Sequence, residues 1–386
     1  MLSAFSTPYE GDFVRLAENL VCRSLRSVLA KTNAQAEQLG YPKLPISDEA
    51  ISPKRLSARS WTPELGVVAM GLARGVTREN WSWLSGQLML AAFLNELLPE
   101  LQLEVTGPTP FSVAGHFVRE DKLLFRGDKQ GLTVKNGGGT TVLELRKLEL
   151  PGMAPVWIKD RQDVVRLGSA AVAVLGGDEW MAHWYPQDER RPLSEAPLRD
   201  KEHYESALSL LEESIPEYFV WVTMLLKELA LLRGRDAGTD SGSFALYPGH
   251  VQASVSFSSP ISNVIVLVHE CSHQYFNLLL WHSQMVRADA PETYSVLKNT
   301  KRPLEKILLG FHAFGNVLLA LRTLQSSKYR FDESDMEKQL RKHLALTVGL
   351  DQELQPLFET YLKEVGKDIY LPLRKRLVAA GFLPSV

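Results

Sequence analysis

The chain has 386 residues, of which 45% are apolar and 23% charged, and its formal net charge is −2. Those values predict a globular core in one large domain or two modest ones. Without a long block of like charge, they argue against nucleic acid or an anionic membrane as a partner.

The two cysteines, Cys22 and Cys271, are too few and too far apart for a disulfide framework. The first twenty residues lack a basic segment followed by an apolar core, so no signal peptide is expected, and no apolar run reads as a membrane span. The expected location is the cytoplasm.

In chain order, residues 11–40 read as an amphipathic helix, with Phe13, Leu16, Leu20, Leu25, Val28 and Leu29 at helical spacing. Residues 42–60, rich in Pro, Ser and Arg, read as a loop. A second helix is expected over 78–98, N-capped by Thr77 with Asn80 in the place of a capping-box acid. Four short strands follow near 111–118, 122–126, 131–135 and 140–149, separated by the turn sequences RGDKQG and NGGG. Residues 150–162 read as a linker.

From about 163 the chain reads as mostly helical, including 201–232, where Pro216 divides or kinks the helical run. Residues 234–243 read as a loop. Residues 248–257 read as a turn and a half-exposed strand, with His250, Gln252, Ser254 and Ser256 on its polar side. The fold class is therefore mainly α with a small antiparallel β unit. Residues 1–160 form an N-terminal region with that unit, and residues 161–386 form a helical catalytic domain.

The chemistry centres on VLVHECSHQYF, residues 266–276. His269, Glu270 and His273 spell H-E-x-x-H on an expected helix over 261–282. Residues i and i+4 share a helix face, so His269 and His273 can offer two imidazoles to one metal. The motif breaks an apolar run with ionisable groups that are costly to bury without partners. Cys271, inside it, reads as a small buried hydrophobe.

The third ligand is open between two residues. Glu292 lies 19 residues after His273, a spacing used by one class of zinc aminopeptidases. His312 lies on an expected helix with Thr300 near its N-cap and Pro303 in its first turn, on a face with Leu308, Gly315 and Leu319. Gly310 and Gly315 suggest a closely packed neighbour, for which the motif helix is the natural choice. Of the other histidines, His250 is a candidate for the cleft and His282 reads as surface or supporting. His116, His183, His203 and His343 show no supporting pattern.

The blocks YPGHVQASVSF, LVHECSHQYF and RPLEKILLGFHAF, within residues 200–325, resemble the HExxH-containing proteins of ribosomal peptide natural-product clusters. Members of that family are 2-oxoglutarate-dependent, non-haem iron peptide β-hydroxylases. The resemblance implies Fe(II) held by His269, His273 and His312, with 2-oxoglutarate and O2 as co-substrates and a precursor peptide as substrate. It makes Glu270 a residue that supports the site, with Glu270 or Glu292 as a direct carboxylate ligand still open. A guanidinium suits the distal carboxylate of 2-oxoglutarate; Arg302 is the first choice, with Arg287 and Arg322 as alternatives.

Two other hypotheses stand beside this one. The first is a zinc metallopeptidase, with Glu270 as base and Glu292 as third ligand. The second is a scaffold whose motif is structural. An extended peptide along the strand at 250–257 would suit either enzyme, and the β unit at 111–149 is a candidate for precursor recognition.

Overall fold

The computed structural model describes residues 2–107, 111–149, 155–159, 164–167, 170–175, 194, 197–235, 240–329 and 331–385. His183, much of the 150–162 segment and residues 236–239 of the 234–243 loop lie outside them. The chain is mainly α, with β structure gathered in two five-stranded sheets and two small hairpins among the described residues.

A 3-10 turn, Leu2–Phe5, leads into helix α1 (Phe13–Leu39). The Asp12 side chain caps α1 by accepting from Arg15 N, and Gly40 ends it in the left-handed region. Helix α2 (Pro63–Arg74) follows in a stretch where no element is expected from the sequence. Helix α3 (Arg78–Leu94) starts in the capping box of Thr77 and Asn80.

The first sheet has the order β1 (Leu101–Thr106), β4 (Lys122–Gly127), β5 (Gly131–Asn136), β6 (Thr141–Leu148) and β7 (Val156–Ile158), antiparallel throughout. Its last strand lies within the expected linker. Strands β2 (Phe111–Val113) and β3 (His116–Val118) form a separate hairpin.

Of the second sheet, only the strand within 248–257 is expected from the sequence. Strands β8 (Val164–Leu167) and β9 (Ala170–Leu175) precede helices α4 (Pro197–Ser214) and α5 (Pro216–Leu225). The expected helix over 201–232 is corrected here: after α5 the chain becomes strand β10 (Glu228–Arg235). In ELALLRGR an apolar run is buried on both faces, and such a run looks alike as buried helix or interior strand. β11 (Ser241–Ser243) and β12 (His250–Ser256) complete the order β11-β12-β10-β9-β8, with β9, β10 and β12 parallel and the two outer strands antiparallel.

The expectation for 248–257 also changes. Every residue of β12 is buried, and both of its edges are paired, by β10 and β11. A peptide cannot lie along this strand; the outer strand on that side is β11.

Helix α6 (Pro260–Leu280) carries the motif, capped by Ser259, which accepts from Ser262 N, with Pro260 in its first turn. Strands β13 (Glu292–Ser295) and β14 (Thr300–Pro303) pair as a hairpin, and helix α7 (Leu304–Gln325) follows. Thr300 and Arg302 are thus strand residues rather than the start of the helix. Helices α8 (Glu333–Leu354), α9 (Phe358–Tyr361) and α10 (Glu364–Ala379) complete the chain. α7 is the one described helix long and apolar enough to cross a membrane, but 83% of its apolar window is buried inside the protein, as in a core helix.

Two large apolar cores meet along α1. Its first half (Phe13, Leu16, Ala17, Leu20, Val21) joins the core built on α5, α6, α7 and α10, together with Ala4 and Phe5. Its second half (Cys22, Leu25, Val28, Leu29) joins the core of α2, α3 and the first sheet. Residues 4–21 therefore pack with the helices of the C-terminal half. The helical glycines of α7 admit other neighbours than α6: a Cβ on Gly310 would meet Leu350 of α8, and one on Gly315 would meet Leu373 at 2.9 Å and Leu377 of α10.

Candidate metal centre

Helix α6 presents different groups to different neighbours because each residue turns about 100° from the last. His269 and His273 face α7. Their rings lie 4.5 Å apart, and the Phe314 ring lies 4.7 Å from His269. Both histidines are half-buried.

Burial holds both imidazoles neutral. It pushes His269 down to about 4, helped by the charge of Lys342, and pushes His273 well below the usual histidine range, helped by His269, His312 and Lys306. Neutral imidazole is the ligand form.

His312 lies on α7 in full burial, with its ring centroid 6.1 Å from that of Phe276 on α6 and 6.3 Å from that of Trp221 on α5. Its Nε2 donates to the carbonyl of Phe5 at 2.7 Å, so the proton sits on Nε2 and Nδ1 carries the lone pair. That Nδ1, like Nδ1 of His273, is buried without a hydrogen-bond partner. Burial pushes His312 to about 4, against the carbonyls of Phe5, Ser6 and Ser272 beside the ring.

Glu270 turns to a different neighbour. Its Oε1 accepts from Ser241 Oγ at 2.6 Å, and its backbone carbonyl accepts from Ser243 Oγ at 3.3 Å, so α6 is fastened to the outer strand β11. One turn on, Gln274 fastens the start of β12, accepting from Gly249 N at 3.1 Å and donating to the His250 carbonyl at 2.9 Å. Gly249 has φ +70°, and a Cβ there would lie 2.9 Å from the Trp61 carbonyl, so this turn requires glycine.

The remaining candidates separate. His250 faces Glu228 (Nδ1 to Oε2, 3.3 Å) in a wholly buried charged cluster with Glu64 and Lys227, and burial pushes it to about 3. Glu64 Oε1 there accepts from Ala114 N at 2.8 Å. His282 Nε2 ties the end of α6 to α1 through Ser24 Oγ (2.9 Å) and the Leu20 carbonyl (3.0 Å).

Glu292 is exposed on the hairpin opposite Pro303, and Arg302 is half-exposed opposite Thr293. Arg287 is paired with Asp289, and Arg322 hydrogen-bonds Gln325 at the surface. Among the described residues, Arg302 makes no hydrogen bond or ion pair to the histidines.

Three residues escape the sequence reading. His343 of α8 is buried with its ring 5.8 Å from Phe314, and burial, helped by Lys342 and His269, lowers its pKa to about 4. It occupies the buried stripe of Met336, His343, Thr347, Leu350 and Leu354, a spacing that could have placed it inward. Lys306 and Lys342, the cations acting on the histidine pair, have no such signal.

The donor chemistry suits a first-row transition metal: neutral imidazoles, two on one helix face, with an unpartnered buried Nδ1 on both His273 and His312. Among the described residues, no three His, Cys, Asp or Glu side chains converge closely enough to enclose an ion. No family model matches the chain, and no curated protein matches it.

Proposed function

We propose that the protein is an Fe(II)- and 2-oxoglutarate-dependent oxygenase that hydroxylates a residue of a ribosomally made precursor peptide at the β-carbon. The observation that carries this reading is the choice of third ligand. His312 is buried beside the histidine pair with an unpartnered Nδ1, whereas Glu292 is exposed on a hairpin. His269, His273 and His312 would hold the metal, which when bound supplies open coordination positions for a chelating keto acid and for oxygen.

The chain's own residues then have separate tasks. The Phe5 carbonyl orients the His312 ring. Ser241 holds the Glu270 carboxylate toward β11, where it supports the motif helix. Phe314 covers the His269 ring and excludes water on that side. Lys306 and Lys342, whose charges reach the histidine pair, would favour an anionic co-substrate there.

A second reading, a zinc metallopeptidase with Glu270 as base, is favoured by one observation: the carboxylate lies under the outer strand β11, where an extended peptide could lie.

The test is anaerobic loading with Fe(II), then exposure to air with 2-oxoglutarate and the precursor peptide. Succinate release with one oxygen added to the peptide is expected, and His312→Ala should abolish both. Zinc-dependent cleavage of the peptide, or full activity in His312→Ala, would overturn the proposal.

A further inference from the structure

The segment before α1 is threaded into the core beside the histidines. Ala4, Phe5, Ser6, Thr7 and Pro8 are all buried. The Phe5 carbonyl accepts from His312 Nε2 at 2.7 Å, and the Ser6 carbonyl accepts from Asn316 Nδ2 at 2.9 Å. Asn316 is itself fixed by Tyr218, whose hydroxyl donates to its Oδ1 at 2.9 Å.

The Phe5 ring meets Tyr275 edge-on at 4.9 Å, and Tyr275 stacks on Trp221 at 3.8 Å. Two successive carbonyls therefore grip α7 one turn apart, while the adjacent ring is wedged against α6. The segment's fold depends on the 3-10 turn closed by Ser6 N donating to the Ser3 carbonyl at 2.9 Å.

From this arrangement we infer that the Phe5–Ser6 backbone is a positioning clamp for the metal centre, fixing His312 as the Nε2–H tautomer so that Nδ1 is the atom offered to the ion. The inference rests on the ligand set proposed above. A metal-bound histidine ordinarily gives its other ring N–H to a carbonyl or carboxylate, and losing that partner costs about 10–100-fold in metal affinity. Here the partner comes from a residue more than three hundred positions away in sequence.

Two substitutions at one position separate the clamp from its side chains. Ser6→Pro removes the N–H that closes the turn and drives Phe5 out of its helical conformation, displacing its carbonyl. Ser6→Ala leaves the backbone alone and deletes a hydroxyl that has no hydrogen-bond partner. Co(II) affinity should fall about 10–100-fold in Ser6→Pro and stay at the wild-type value in Ser6→Ala. Adding Ser6→Pro to His312→Ala should cost nothing further.

Wild-type Co(II) affinity and an unchanged visible spectrum in a folded Ser6→Pro protein would overturn the clamp. Histidine nitrogen NMR of the metal-free wild-type protein reads the tautomer directly and decides the matter even where Ser6→Pro does not fold. His312 should be protonated at Nε2 alone, and an Nδ1–H or mixed form refutes the inference. Undiminished Co(II) affinity in His312→Ala would instead refute the ligand set, and with it the clamp's role toward a metal.

Discussion

The charged cluster between the two cores yields a signed prediction. Glu228 is 1% exposed, and burial lifts its pKa from the ordinary 4.5 to about 7, against the pull of Lys227 and His116. Glu64 from α2 and His250 from β12 face the same space, and His250 is neutral above about pH 3. A carboxyl whose folded pKa is raised keeps its proton in the native state while the unfolded chain loses it. Stability therefore falls as pH rises from about 4.5 to about 7 and levels off beyond. At about 1.4 kcal/mol per pKa unit, the full effect is roughly 3 kcal/mol.

Glu228→Gln removes this one dependence and leaves the histidine contributions, of opposite sign, in place. Urea unfolding of both proteins by tryptophan fluorescence, from pH 4 to pH 8, isolates the term by subtraction. The variant should gain on the wild type by roughly 3 kcal/mol across the interval, nearly all of it between about pH 4.5 and 7. A difference that is flat over that range would refute the burial of Glu228 among these groups.

His269 and His312 are neutral down to about pH 4 and burial holds His273 well below the usual histidine range, so metal affinity should be nearly constant from about pH 6 to 8 and fall toward pH 4. A steep loss centred near 6.5, by competition with a fluorescent chelator, would mean solvated imidazoles. Lys342→Ala should raise the KM for 2-oxoglutarate roughly tenfold or more, at about 1.5–3 kcal/mol for a hydrogen bond to a charged group. If Arg302→Ala moves KM and neither Lys306→Ala nor Lys342→Ala does, the hairpin arginine is the anchor. Gly315→Val should lose about 1–3 kcal/mol in urea unfolding, because its Cβ would lie 2.9 Å from Leu373; an unchanged midpoint would refute the close approach of α10.

What was legible in the sequence follows from where the physical signal lies. The long helices α1, α3, α6 and the body of α7 announce themselves by apolar spacing, and the turn-punctuated strands of the first sheet by Gly and Asn. The interior of the second sheet does not: Leu229, Ala230, Leu231 and Leu232 of β10 are buried on both faces and lose the alternation that marks a strand. β12 keeps that alternation, but His250, Gln252 and Ser254 serve a buried polar layer instead of solvent. Its alternation thus located the strand and misplaced its surroundings. Thr300–Pro303 fits a helix start by residue type, yet pairing with Glu292–Ser295 holds it as strand.

The candidate site divides in the same way. The i, i+4 histidines are legible because helix geometry alone brings them together. His312 is legible as an inward residue of α7, but the atom it offers is not, because that choice is made by a main-chain carbonyl and any residue type supplies one. Glu270 shows the converse. Its identity suggests a base directed at a metal-bound water, yet its partner Ser241 lies on an outer strand set by the topology of the second sheet. α6 is consequently held from three sides, by β11 through Glu270, by the turn into β12 through Gln274, and by α1 through His282. Held this way, the helix cannot rotate about its axis without breaking one of those links. The backbone beneath the histidine pair is thus fixed from outside the candidate site, which is the support that ligand side chains need if they are to meet an ion in one geometry.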